Sequence, residues 1–308
     1  MLVLILGCDE LLGCAVTQKM LAKGYTVLGY SLQTTSSSFH KNNLELLQNG
    51  HNGHHFSYRG SALEQEWEAE RELAKSFEVF FLPCQTMAVR HAQLLLAQTL
   101  KLQHLLSQLD VLHLVCASGY QLYYPHHHRN MQANELVAHP QSLSAARLRS
   151  MELLLHAMSA QFSTPCTVLR FFELYGDLAD ENAVVAKLWR QIENEEVIDL
   201  SQWRNDVYDF VFINDAAEAS VRTIEHPAVR NSEWEFDEES LDSSEFPWRV
   251  YNVGTGVGTS LEELLNKIQQ ATGKQLKTKG NWQKDRLRHV ADTEKFTYYI
   301  GYKPTTLL

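Results

Sequence analysis

The residues with the clearest chemical meaning open the chain, in LVLILGCDELLGCAV, Leu2 to Val16. Five apolar residues run straight into Gly7, and Gly13 stands six positions later at what reads as a helix start. Strand, tight turn and helix N-terminus together offer backbone N–H groups and the helix dipole to a pyrophosphate. Gly7, Glu10, Leu11, Leu12 and Gly13 are therefore candidate cofactor contacts. Glu10 stands where a middle glycine would let phosphates approach. A carboxylate there opposes them by about 4 kcal/mol per close unit-charge pair at an effective dielectric of about 20. Ser31 closes the second strand, where an acid would hold the ribose hydroxyls of NAD, and no arginine stands beside it for the 2′-phosphate of NADP. NAD or NADP is expected to bind weakly or not at all, unless Glu10 turns outward and the loop holds phosphate with its amides alone.

Other reactive side chains carry less. His51, His54 and His55 fall before or within an expected strand with no distant partner cluster, so no metal site is expected. His126–His128 read as solvated loop residues that can contact a ligand. The five cysteines, Cys8, Cys14, Cys84, Cys116 and Cys166, are scattered and sit mostly in apolar runs, which suits reduced core thiols. Tyr299 and Lys303 form a Tyr-x-x-x-Lys spacing that reads as coincidence.

The elements that must position these groups are read from the apolar pattern. Leu2–Leu6, Tyr25–Tyr30, His55–Tyr58, Glu78–Leu82, Val111–Ala117 and Cys166–Phe172 read as strands. Cys14–Lys23, Ala62–Ala74, Met87–Leu106 and Ser142–Ala160 read as helices between them. Alternating strand and helix with right-handed crossovers predicts a doubly wound, Rossmann-type parallel α/β sheet over residues 1–175. From Gly176 the pattern is mixed, with short strands at Val197–Leu200, Asp209–Ile213 and Arg249–Val253. Helices are expected at Asn182–Glu193, Asn214–His226, Ser260–Ala271 and Asp292–Tyr299. A smaller α+β lobe over 176–308, its segments interleaving with the first, would close over the strand ends.

The chain has 308 residues, 44% hydrophobic and 21% charged, enough for such a core. Its net charge of −10 argues against nucleic acid or an acidic membrane as partner. No apolar run is long enough to span a bilayer and no signal peptide opens the chain, so a cytoplasmic protein is expected. Part of the acidity lies in NSEWEFDEESLDSSEF, Asn231–Phe246, which reads as a solvated loop and is the candidate surface for a protein partner.

Several motifs in order give the chain a likeness. GCDELLG at Gly7–Gly13 resembles a G-x-x-G-x-x-G turn, HLVCASGYQLYY at His113–Tyr124 a strand ending in S-S-x-x-V-Y-G, and LRFFELYG at Leu169–Gly176 the pattern L-R-x-x-N-x-Y-G. DFVFINDAAEA at Asp209–Ala219, YNVGTG at Tyr251–Gly256 and DRLRHVADTEKFTYYIGYKP at Asp285–Pro304 continue the series. From end to end the chain resembles the extended short-chain dehydrogenase/reductase family of NAD-dependent epimerases and dehydratases, typified by UDP-galactose 4-epimerase.

That resemblance implies hydride transfer at a nicotinamide, helped by a tyrosine, a lysine four residues later and a serine or threonine. The lysine lowers the pKa of the tyrosine, whose phenol at its ordinary value near ~10 is a poor base. Here Gly119 holds the serine position, beside Ser118, while Leu143 and Arg147 hold the tyrosine and lysine positions; a register shifted by one gives Ser144 and Leu148. Tyr120 and Tyr124 are the possible substitutes for the phenol, and Arg147 joins the candidate cofactor contacts. Glu173 stands for the family's asparagine, Tyr208 for its arginine before Asp209, and Asn281-Trp282 for a basic position, so the second phosphate site has drifted as well. Gly7, Gly13, Arg170, Gly176, Asp209, Asp215 and Asn252 survive as what turns and buried hydrogen bonds need.

The leading expectation is a member that has lost hydride transfer and serves as a binding, accessory or regulatory subunit. The alternative is an active, atypical NAD(P)-dependent oxidoreductase or nucleotide-sugar epimerase/dehydratase, with Tyr120, Tyr124 or one of His126–His128 as its acid. A third reading is a protein-binding module that uses Asn231–Phe246. The helices Met87–Leu106 and Ser142–Ala160 correspond to the family's dimer-forming pair, which implies a homodimer.

Overall fold

The computed structural model describes residues 2–32, 38–50, 55–62, 67–73, 76–83, 94–125, 127–135, 139–176, 183–235, 242–283 and 286–308. The first half alternates β1 (Leu2–Leu6), α1 (Leu11–Ala22), β2 (Thr26–Ser31), α2 (Ser38–Gly50), β3 (Phe56–Ser61), α3 (Glu68–Leu73), β4 (Phe77–Phe81), α4 (Leu94–Gln108), β5 (Val111–Gly119), α5 (Leu143–Phe162) and β6 (Cys166–Phe171). Next come β7 (Glu173–Tyr175), α6 (Val184–Glu193), β8 (Val197–Asp199), β9 (Val207–Tyr208), β10 (Phe210–Phe212), α7 (Ile213–Ile224) and β11 (Trp248–Val253). The chain continues with β12 (Thr259–Ser260), α8 (Leu261–Thr272), β13 (Lys277–Lys279), β14 (Arg288–His289) and α9 (Glu294–Ile300).

Seven strands form one sheet in the order β11-β6-β5-β4-β1-β2-β3, every neighbouring pair parallel. β1, β4 and β6 are almost wholly buried, which is why they read as mainly apolar rather than alternating runs, β1 without a break and the others interrupted by Glu78, Thr167 and Arg170. α1 packs against α7 and α4 against α5. This is the doubly wound α/β architecture read from the strand and helix pattern. A second apolar core gathers Leu188 and Ile192 of α6, Ile198, Phe210, and Leu261, Leu264, Leu265 and Ile268 of α8.

Some elements differ from the sequence reading. α1 begins at Leu11, not Cys14, because Glu10 already has the extended backbone of an N-cap. The helix expected over Ala62–Ala74 is described only at Glu68–Leu73, and β3 runs on to Ser61. The sequence pattern does not predict α2; its Asn43 and His40 are buried for polar contacts, which leaves little apolar periodicity to read. Of the helix expected at Met87–Leu106, residues 87–93 lie outside the described residues, and α4 extends to Gln108.

Candidate functional site

The first βα turn is built around two glycines. Gly7 has φ +95°, and a Cβ on Gly13 would lie 1.7 Å from the Gly7 carbonyl oxygen, so helix and turn meet as closely as glycine allows. The N–H groups of Gly7 and Cys8 both donate to the Tyr30 carbonyl, at 2.7 and 3.1 Å, which ties the turn to the end of β2. Glu10 is the N-cap of α1, yet its side chain caps nothing. The first-turn amides are left for an anion. The Glu10 carboxylate lies 3.4 Å from His40 Nε2 on α2, and both side chains are nearly inaccessible. The repulsion expected from Glu10 is thus offset whenever His40 carries a proton.

Sequence reasoning missed the neighbouring acid. Asp9 is fully buried and accepts a hydrogen bond from the Ser31 hydroxyl at 2.8 Å, while its Oδ1 has no hydrogen-bond partner among the described residues. Burial pushes its carboxyl up, and the Ser31 hydroxyl pulls it partly back. Asn43 of α2 donates to the Asp9 carbonyl at 2.8 Å. A carboxylate with an orphaned oxygen at the end of β2 suits a ribose hydroxyl, and the uncapped helix start suits a phosphate. The residues present therefore fit the adenosine half of a nicotinamide dinucleotide: Gly7, Leu11, Leu12 and Gly13 would lend backbone, and Asp9 and Ser31 would meet the ribose.

The end of β5 and the start of α5 form the other wall. Gly119 ends β5 in extended conformation and leads into a short 3-10 turn, Tyr120–Leu122. Ser142 caps α5, its Oγ accepting from the Ala145 N–H at 3.1 Å. Leu143, at the tyrosine position, is 72% exposed. In the shifted register Ser144 is half-buried and Leu148 buried, while Arg147 is half-buried one turn into the helix. Gln141 donates to the hydroxyl of Tyr124, which is partly exposed.

Tyr120 has a different setting. It is buried, its ring stacks on Phe172 at 5.3 Å, and its hydroxyl donates to Glu173 at 2.8 Å. Burial first, and the nearby Glu173 charge second, push its phenol well above the ordinary value. Burial likewise raises the Glu173 carboxyl, and the Tyr120 hydroxyl pulls it partly back. Next to this pair, Tyr208 stacks on His289 at 4.8 Å, and the His289 ring also meets Tyr120 edge-on. Burial works against ionisation of Asp206, but His289, the Leu287 N–H at 2.9 Å and Arg204 outweigh it and hold its carboxyl below the usual range. Trp282, at the position expected to be basic, packs against the second core.

Other surviving motif residues hold the fold. Arg170, fully buried, donates to both Glu152 oxygens at 3.0 and 2.7 Å, to the Tyr123 hydroxyl and to the Ala133 carbonyl. Asp209 accepts from the N–H groups of Thr255, Gly256 and Ala291, and Asp215 from those of Thr305 and Thr306. Asn252 links Tyr123 to the Met131 carbonyl.

His51, His54, His126, Cys84 and Asp285 lie outside the described residues. His55 is exposed, as are His127, beside the Arg286 carbonyl, and His128. Cys8, Cys14, Cys116 and Cys166 are free and buried. In the acidic stretch, residues 236–241 lie outside the described residues, and the segment from Asp242 to Phe246 is packed where a solvated loop is expected. Asp242 is buried against Lys295, Ser244 against His156, and the Phe246 ring meets His156. Among the described residues no helix is long and apolar enough to cross a membrane.

A model of the NAD dependent epimerase/dehydratase family matches residues 84–236. Protein CapI of Staphylococcus aureus is 31% identical over 166 residues, 54% of this chain and 50% of that one, so the match spans about half of that relative. An uncharacterized 37.6 kDa protein of Escherichia coli O111:H- is 26% identical over 318 aligned positions, covering 98% of this chain and 93% of the relative. In fold, the chain is similar to UDP-glucuronic acid 4-epimerase from Bacillus cereus, solved with UDP-glucuronic acid and NAD. The TM-score is 0.79 at 17% identity, over 100% of this chain and 95% of that one. Matched family model and seven-stranded parallel sheet agree: residues 84–236 belong to the NAD-dependent epimerase/dehydratase family, and the chain as a whole has the fold of its solved relatives.

Proposed function

We propose that this chain keeps the family's cleft but has given up hydride transfer, and that it serves as a binding, accessory or regulatory subunit. The observation that carries this reading is the state of the phenol nearest Gly119. A proton relay needs a tyrosine pulled down by a cation. Tyr120 is instead pushed up by burial and by an acid, with its hydroxyl committed to Glu173. A nicotinamide dinucleotide, when bound, supplies the hydride donor or acceptor; Gly119, Leu143 and Arg147 do not supply the accompanying proton relay. The test is incubation of the purified chain with UDP-glucose or UDP-glucuronic acid and NAD+ or NADH, then nicotinamide absorbance and chromatography of the sugar nucleotides. No change is expected. Turnover that depends on added NAD(P) overturns the reading.

A second reading is favoured by Tyr124, whose partly exposed hydroxyl meets Gln141 beside the start of α5. If the chain is an active, atypical oxidoreductase or nucleotide-sugar epimerase/dehydratase, Tyr124→Phe abolishes its turnover. We further propose a cytoplasmic homodimer that meets through α4 and α5. Leu96, Leu100 and Leu153, exposed on those helices, support that surface. The ordered end of the acidic stretch, anchored at Asp242 and Ser244, is the surface we assign to a protein partner.

A further inference from the structure

We propose that Asp9 sets which dinucleotide this chain accepts. Its carboxylate, brought to the end of β2 from the turn after β1, receives the ribose diol of NAD and turns away a 2′-phosphate. The inference rests on the binding role proposed above and adds a specificity to it.

In a doubly wound fold the ribose is ordinarily met by an acid that closes the second strand. In this chain that position is Ser31, a residue without charge. The structure nevertheless puts a carboxylate there. β1 and β2 are adjacent and parallel, with Leu6 beside Tyr30, so the turn leaving β1 passes the last residue of β2. Asp9 uses that proximity, and Ser31 grips its Oδ2 at 2.8 Å. Tyr58 of β3 also reaches Ser31, so the support extends over three strands. One oxygen is therefore fixed, and the other, Oδ1, is enclosed with no partner among the described residues.

A buried carboxylate oxygen left unpaired is costly and calls for a donor. Two adjacent ribose hydroxyls supply one. A 2′-phosphate brings negative charge beside Asp9 and Glu10, and His40, the imidazole packed there, already faces Glu10 at 3.4 Å. Entry requires α2 to yield around Asn43, because Asn43 donates to the Asp9 carbonyl and the side chains of Asp9 and Asn43 are almost completely covered. Asn43 is thus the cover and Asp9 the acceptor beneath it.

The experiment is calorimetric titration of the full chain with NAD+ and NADP+, beside Asp9→Asn, Ser31→Ala and Asn43→Ala, each checked for folding by circular dichroism. Native protein is expected to bind NAD+ at least tenfold more tightly than NADP+. Asp9→Asn should weaken NAD+ about tenfold and erase the preference. Ser31→Ala should weaken NAD+ a few-fold and keep the preference, and Asn43→Ala should strengthen NAD+. Equal affinities in the native protein, or no binding of either up to millimolar concentration, overturns the proposal. A folded Asp9→Asn variant with an unchanged ratio does so as well. If Asp9→Asn does not fold, the native ratio together with Ser31→Ala decides. None of these readouts involves turnover, so they can fail while the loss of hydride transfer stands, and the reverse.

Discussion

Glu78 lies at the centre of the sheet, with Val3 beside it on β1 and His113 on β5, and one of its oxygens is enclosed without a partner among the described residues. Burial pushes its carboxyl up to about 7, from an ordinary value of 4.5. His113, fully buried with Nε2 2.9 Å from the Thr167 hydroxyl, is pushed down by burial to about 4. The two act in opposite directions. Between pH 4.5 and about 7 the unfolded chain releases the Glu78 proton before the folded one does, so the fold loses stability as pH rises, by about 3 kcal/mol in all. The unfolded chain takes up the His113 proton first as pH falls from 6.5 to about 4, so stability is lost on the acid side too. Glu78→Gln removes only the alkaline loss. Urea unfolding at pH 4.5 and pH 8 should show the variant gaining about 2–3 kcal/mol on the native protein between the two. An equal difference at both values would mean that Glu78 does not titrate with folding.

Helix α8 shows how local sequence fixes an element. Ser260 caps it, accepting from the Glu263 N–H at 3.2 Å, while the Glu263 carboxylate returns to the Ser260 N–H at 2.7 Å. Both halves of a capping box are present. Ser260→Ala should cost about 1 kcal/mol in urea unfolding; no loss would mean that water replaces the cap freely. Elements of this kind are legible in the sequence, as are β1, β4, β5 and β6, because strands buried on most of both faces are written as mainly apolar runs even where Glu78, His113 or Arg170 interrupts them. α2 is not legible, since its covered positions include His40 and Asn43, chosen for hydrogen bonds and not for apolar burial. The site is legible in the same uneven way. Gly7 and Gly13 announce the turn by spacing, whereas Asp9 meets Ser31 across 22 residues and Tyr120 meets Glu173 across 53, through strand order alone. The available clue to Asp9 is the expected pairing of the first two strands, which sets the residues after one beside the end of the other.

At the scale of the whole molecule, α4 and α5 pack on each other and still leave leucines in water. Leu96 and Leu100 stand one turn apart on α4, 40% and 52% exposed, and Leu153 on α5 is 53% exposed. Burying a leucine gains about 1.5–3 kcal/mol, and a second copy meeting the same face does so twice for each residue. The isologous contact would assemble a four-helix layer with apolar residues at its centre. A carboxylate introduced there would face its own copy or another leucine without compensation. Leu100→Glu combined with Leu153→Glu should therefore convert a dimer to a monomer in light scattering coupled to size exclusion, with the melting temperature of the separate subunit little changed, because neither side chain belongs to the intramolecular core. Native protein that runs as a monomer at micromolar concentration would show these leucines to be unpaired surface. A variant that remains dimeric would place the contact on another face, and would leave the acidic stretch near α5, anchored by Ser244 to His156, free for a different partner.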